Sequence, residues 1–180
     1  MDHAPDDPPR RSFLIRLGAI LAVLTAAIVP VGAGLIAFLN PLHQKRRETE
    51  MTLVTKLAVL PESGAPRRFT IEADRVDGWT THVNSPIGSV YLRRTGDDGV
   101  AALNVQCPHA GCFVGVAADE RSFACPCHGS SFNLDGTIAD PSSPSPRSMD
   151  ALEVEIRNGD EIWVRHQSFQ PGVSHKTALA

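Results

Sequence analysis

The chain has 180 residues, 21% of them charged, and a net charge of −3. That length holds one ordinary domain with an appendage and excludes a large multidomain enzyme. The small, mixed charge excludes a nucleic-acid binder that works through its overall field.

Residues 1–9 are polar and Pro-rich and read as disordered. Residues 17–39 (LGAILAVLTAAIVPVGAGLIAFL) carry no charged side chain. As a helix this run is about 34 Å long, enough for a bilayer core of about 30 Å. A cleaved signal peptide has a shorter apolar region, about 7–15 residues, followed by a small-residue cleavage site. Phe38-Leu39-Asn40-Pro41 offers no such site, so 17–39 reads as an uncleaved transmembrane helix, loosened at Pro30, Gly32 and Gly34. Just before it, Arg10-Arg11-Ser12-Phe13-Leu14 resembles the twin-arginine export signal. That route carries folded proteins, often with their cofactor inserted. Charge alone does not orient the span, because Arg10, Arg11 and Arg16 precede it while Lys45, Arg46 and Arg47 follow it. The export-like motif puts residues 1–16 in the cytoplasm. The remainder then lies on the outer, periplasmic side of the inner membrane, anchored by a single pass.

Residues 40–50 (NPLHQKRRETE) have no apolar period and read as a linker. From 51 to 166 the pattern is of short strands with turn punctuation: Leu53–Val59, Arg68–Ala73, Ser89–Arg94, Ala101–Gln106, Phe113–Ala117 and Ser122–Ala124. Thr95-Gly96-Asp97-Asp98-Gly99 reads as a hairpin turn. Leu152, Val154 and Ile156 alternate with charged residues, Asn158-Gly159 follows, and Ile162 and Val164 resume the alternation. This predicts a β-hairpin with a primed turn. No internal repeat is evident, and 167–180 reads as a loose tail. Trp79, Trp163 and Tyr91 read as core or rim aromatics. His3, His43, His82, His166 and His175 read as surface or tail histidines.

All four cysteines fall in two short segments, Cys107-Pro108-His109-Ala110-Gly111-Cys112 and Cys125-Pro126-Cys127-His128-Gly129-Ser130-Ser131-Phe132. Thiolate and imidazole are donors that transition metals prefer. Three readings are open on spacing alone. A tetrahedral zinc on Cys107, His109, Cys125 and His128 leaves two cysteines beside it without a role. Two disulfides suit an exported domain but leave the matched histidines unexplained. A mixed-ligand iron–sulfur centre uses both residue types.

The two segments resemble the Rieske iron–sulfur proteins. The resemblance implies an all-β fold: an antiparallel β-sandwich with a small cluster-binding subdomain, loops 107–132, tethered to the N-terminal helix. It implies a [2Fe–2S] cluster with Cys107 and Cys125 on one iron and His109 and His128 on the other. It further implies a Cys112–Cys127 disulfide between the loops, and a hydrogen bond from the Ser130 hydroxyl to a bridging sulfide. The second cysteine pair points to the quinol-oxidising, high-potential branch. There the family oxidises quinol: His128, helped by His109, contacts it, one electron and a proton are taken up together, and the head then swings on its linker. The resemblance thus implies that the chain is the redox subunit of a quinol–cytochrome c reductase, with cytochrome b and a c-type cytochrome as partners in a dimeric multisubunit complex. Many respiratory members have Tyr where this chain has Phe132. Without that hydroxyl the expected potential is lower, which suits a quinol such as menaquinol. Asp140-Pro141-Ser142-Ser143-Pro144-Ser145-Pro146 resembles the family's Pro loop over the cluster. A rival resemblance, to the small subunit of arsenite oxidase, implies an electron relay that does not touch quinol.

Overall fold

The structure, a computed structural model, describes residues 9–40, 50–77, 79–96 and 99–179. An uncharged apolar run satisfies its backbone internally as a helix, and α1 covers Pro9–Leu39. It starts at Pro9 rather than at residue 17, so the backbone of Arg10 and Arg11 is helical. Proline is well suited to a first helical turn, where its missing N–H is not needed. Thr25, the polar residue mid-helix, satisfies its hydroxyl on the carbonyls of Leu21 and Ala22, both at 3.0 Å. Large apolar side chains lie exposed along α1, Leu14 and Ile36 among them. The chain divides into two units, Met1–Lys45 and Arg46–Ala180. Residues 41–49, most of the expected linker, lie outside the described residues, as do 1–8 and the middle of the 95–99 turn.

The second unit is built from β1 (Met51–Lys56), β2 (Arg67–Asp77), β3 (Thr80–Arg94), β4 (Val100–Asn104), β5 (Gly115–Val116), β6 (Ser122–Ala124), β7 (Ser131–Asn133), β8 (Glu153–Arg157) and β9 (Glu161–Arg165). They pair antiparallel in three three-stranded sheets, ordered β1-β9-β8, β2-β3-β4 and β5-β6-β7. The first two sheets bury their apolar faces together: Ile71, Val90, Leu92 and Ala102 from one, Ile162 and Val164 from the other, with Leu60, Leu152 and Phe169. The third sheet has its own core around Phe123, Phe132 and Val114, continued by Leu103 and Val105 from the end of β4. This is an all-β sandwich with a small subdomain. Tyr91 links the two, donating its hydroxyl to the Val114 carbonyl at 2.9 Å and packing on Phe123. Burial pushes the Tyr91 phenol above its ordinary value, and the Arg68 cation offsets part of that rise.

The β8–β9 hairpin forms as the alternation predicts. Val154 pairs with Val164 and Ile156 with Ile162, and Asn158 (φ 51°) and Gly159 (φ 86°) make the turn in the left-handed region. Several expectations differ. Strand Leu53–Val59 ends at Lys56 and closes in a 3-10 turn over Leu57–Val59. The β2–β3 hairpin is far longer than Arg68–Ala73 and Ser89–Arg94, because its outer half is exposed on both faces and irregular, with register shifts at Ile71/Glu72 and Ala73/Arg75. Such strands carry no apolar alternation to read. Finally, 167–179 is no loose tail: Phe169 is buried in the sandwich core, Gln170 N–H donates to the Thr177 carbonyl, and Leu179 N–H to that of Ser168. His166 is likewise buried, packed where Gly88 leaves no side chain.

Candidate iron–sulfur site

The two Cys/His segments fold alike. In the first loop, between β4 and β5, Cys107 N–H donates to the Cys112 carbonyl (2.7 Å) and Gly111 N–H to the Cys107 carbonyl (2.8 Å). In the second, between β6 and β7, Cys125 N–H donates to the Ser130 carbonyl (2.8 Å) and Gly129 N–H to the Cys125 carbonyl (3.1 Å). Gly111 and Gly129 hold φ 78° and 74°, where any other side chain costs about 1–2 kcal/mol. The Cys-Pro-x-x-Gly pattern shared by the two segments is thus a repeat of the backbone as well, although the histidine sits two residues after its cysteine in one loop and three after it in the other.

The loops are joined by a Cys112–Cys127 disulfide with Cα atoms 6.6 Å apart. Cys107 and Cys125 stay free and are 1% and 2% exposed. The His109 and His128 rings lie 4.8 Å apart between centroids, edge to face. His128 is exposed, while His109 is half-buried with its Nδ1 enclosed and without a hydrogen-bond partner. The Ser130 hydroxyl is fully buried and also lacks a hydrogen bond of regular geometry. The sulfurs of Cys112, Cys125 and Cys127 lie within 4.8 Å of one another. Two of these are consumed in the disulfide, so the trio is a staple beside one free thiol, not a three-thiol site. Burial pushes the Cys107 thiol up, the His109 backbone and Ser130 hydroxyl pull it back, and neighbouring Cys125 pushes it up again.

The residues flagged in the sequence therefore come together: two buried thiols, two facing imidazoles, one buried hydroxyl and one disulfide. Residues 140–146 leave from beside the second loop, where Ala139 N–H donates to the Ser131 carbonyl at 3.0 Å. Their entry is shaped by Asp140, whose carboxylate accepts from the Ser142 N–H and hydroxyl, both at 2.8 Å, and is held below its ordinary value by them. No pattern of residue types points to Arg147, whose fork meets the Asp150 carboxylate at 3.0 and 2.8 Å in a buried pair.

Residues 54–155 match the model of the Rieske [2Fe-2S] domain. The chain belongs to the Rieske [2Fe–2S] family. It is 30% identical over 124 residues to the Rieske subunit named "Menaquinol:cytochrome c reductase iron-sulfur subunit" of Bacillus subtilis, covering 67% of this chain and 71% of that one. It is 26% identical over 162 residues to the "Cytochrome b6-f complex iron-sulfur subunit" of Chlorobaculum thiosulfatiphilum, covering 88% and 76%. Other cytochrome b6-f subunits match over shorter stretches, so that the chain spans 30–41% of their length. Among solved structures, the plasma-membrane Rieske protein of Synechocystis is 22% identical with a TM-score of 0.43, over 66% of this chain and 100% of that one. The Rieske domain implies a [2Fe–2S] cluster with Cys and His ligands. The donors present here fit that group. Two buried thiols stay out of the disulfide, with the Cys107 thiol pushed up by burial, and an enclosed imidazole nitrogen has no protein partner; a bound metal would displace the thiol protons.

Proposed function

We propose that this chain is the iron–sulfur subunit of a quinol–cytochrome c reductase of the cytochrome bc type. Cys107 and Cys125 hold one iron, and His109 and His128 the other. One observation carries the reading: two buried thiols left out of the disulfide, set beside two facing imidazoles of which one, His128, is exposed. The relatives named as menaquinol:cytochrome c reductase and cytochrome b6-f iron–sulfur subunits support the choice of complex.

When bound, a cluster with two neutral imidazoles supplies a one-electron acceptor less negative than an all-thiolate centre. The chain's own residues do the rest. His128, on the exposed side, accepts the hydrogen bond of a quinol hydroxyl and takes its proton on the ring nitrogen that faces solvent. His109 is the second imidazole and is held more firmly by its half-burial. The buried Ser130 hydroxyl donates toward sulfur, which favours the reduced state. Phe132 has no hydroxyl to add to that effect, which suits a low-potential quinol such as menaquinol. The Cys112–Cys127 disulfide limits how far the loops part while His128 stays open to its substrate. The Pro loop, 140–146, stiffens the side next to the second loop.

In this reading α1 is the single membrane anchor and 1–16 carries an export signal read at Arg10-Arg11. The head then lies on the periplasmic side, and 40–50 is the hinge that lets it travel from cytochrome b to a c-type cytochrome. The test is a redox titration by EPR on membranes holding the intact complex, with and without a quinol-site inhibitor. The expected result is a mixed-ligand signal of the reduced cluster that shifts with inhibitor. A signal indifferent to every such inhibitor makes the chain a relay and overturns the quinol role.

A further inference from the structure

The chain after the last sandwich strand turns back onto the first ligand loop. Gly172 N–H donates to the Pro108 carbonyl at 2.8 Å, one residue from His109. Pro171 lies against Gly111, and Gly172 against the His109 carbonyl, with room for only ordinary contact at either glycine. The segment is fixed at four further points. Phe169 is in the sandwich core. Arg147 donates to the Val173 carbonyl at 2.6 Å from a guanidinium already paired with Asp150, the two side chains 9% and 6% exposed. Lys176 donates to the Ala151 carbonyl and stacks on Phe169. At its start, the Gln167 carbonyl accepts from Asn104 Nδ2 at 3.0 Å, and Asn104 Oδ1 accepts from Gln106 N–H just ahead of Cys107. The second ligand loop, residues 125–130, has no contact of this kind with residues 167–179 among the described hydrogen bonds.

We propose that residues 167–179 are a brace for the first ligand loop, locked by Arg147 as a positioning residue, and that they set the environment of His109. The inference rests on the ligand set proposed above. The two loops share one backbone pattern, but residues 171–172 touch only the first, which carries the half-buried His109, while the second leaves His128 exposed. Arg147 suits the part because its fork spans two directions at once, the Asp150 carboxylate and the Val173 carbonyl.

The test uses the full-length cluster-loaded protein and two variants. One ends the chain after Phe169, which leaves that ring in the core. The other is Arg147→Met with Asp150→Leu, which removes both charges and so leaves neither buried alone. Hydrogen exchange is followed by mass spectrometry, and the potential and EPR line shape by redox titration. In both variants the stretch 107–114 is expected to exchange about tenfold faster, the worth of a lost hydrogen bond or two. The stretch 125–132 is expected to stay unchanged, while the midpoint potential moves and the reduced-state spectrum broadens. Arg147→Lys, which keeps a charge on Asp150 but loses the fork, is expected to fall between. Unchanged exchange over 107–114, equal acceleration of both loops, or faster exchange with an unmoved potential each overturns the brace. Absence of a mixed-ligand signal from the parent protein overturns the ligand set instead, and the exchange comparison still decides the contact.

Discussion

Ser130 and Phe132 are both shut off from solvent, yet they stand in opposite relation to their surroundings. The Ser130 hydroxyl is buried with no partner of regular geometry beyond its contact with the Cys107 thiol, a state that costs up to about 1–3 kcal/mol. Ser130→Ala therefore removes a burden from the cluster-free chain, whose stability is expected to hold or rise. In the loaded protein the same change removes a donor to sulfur, and the potential is expected to fall. A thermal melt of the cluster-free form and a redox titration of the loaded form check the two halves. Loss of stability without a change of potential would show the hydroxyl to be a packing group. Phe132 is the converse case. It pairs across the strand with Phe123, bridges to Ile138, and sits in the core that contains Cys107 and Cys125. Phe132→Tyr puts a hydroxyl into that core, where it must find an acceptor or destabilise. If a ligating sulfur accepts it, the potential rises with little loss of stability. A redox titration with an unchanged midpoint contradicts the assignment of Phe132 as the reason for a lower potential.

At the scale of elements, the Cys112–Cys127 link closes a loop of 15 residues between two loops that share no other covalent tie. Loop-closure entropy for that length is about 3 kcal/mol. Cys112→Ser with Cys127→Ser is expected to lower the melting temperature by on the order of 10 °C, and to speed loss of the cluster. A melting temperature and cluster lifetime equal to those of the parent would make the disulfide dispensable. The elements were legible in the sequence where burial is one-sided. β8 and β9 show it in Val154, Ile156, Ile162 and Val164, and the ligand loops show it in residue types that have few other uses. The outer halves of β2 and β3 were not legible, because a hairpin exposed on both faces selects no alternation. The brace was not legible either. Its fixing points are backbone groups of Gly172, Val173 and Gln170, and a carbonyl or N–H leaves no mark on the residue type. Phe169 and Lys176 were its side-chain signals, and one aromatic and one lysine among polar residues do not announce a packed segment.

For the whole molecule, the deciding contrast is between two kinds of apolar surface. In Arg46–Ala180 the large apolar side chains are mostly inside the two cores. Along Ser12–Leu39, 28 residues of helix, they are all on the outside, and none of that stretch is buried by protein. This difference was legible in the sequence as a run without charge, because a membrane span is selected by length and composition, without help from tertiary partners. At 1.5 Å per residue the helix is about 42 Å long, more than a hydrocarbon core of about 30 Å requires. Leaving it in water would expose side chains worth about 1.5–3 kcal/mol each, far more than loose surface attachment can offset. The full chain is therefore expected to stay in the membrane pellet after alkaline carbonate extraction and to leave it only with detergent. A chain that starts at Glu50 is expected to be recovered in the soluble fraction with the same EPR spectrum. If the full chain were released by carbonate, α1 would be covered by protein in the assembled complex, and its exposed apolar face would be a subunit contact instead of an anchor.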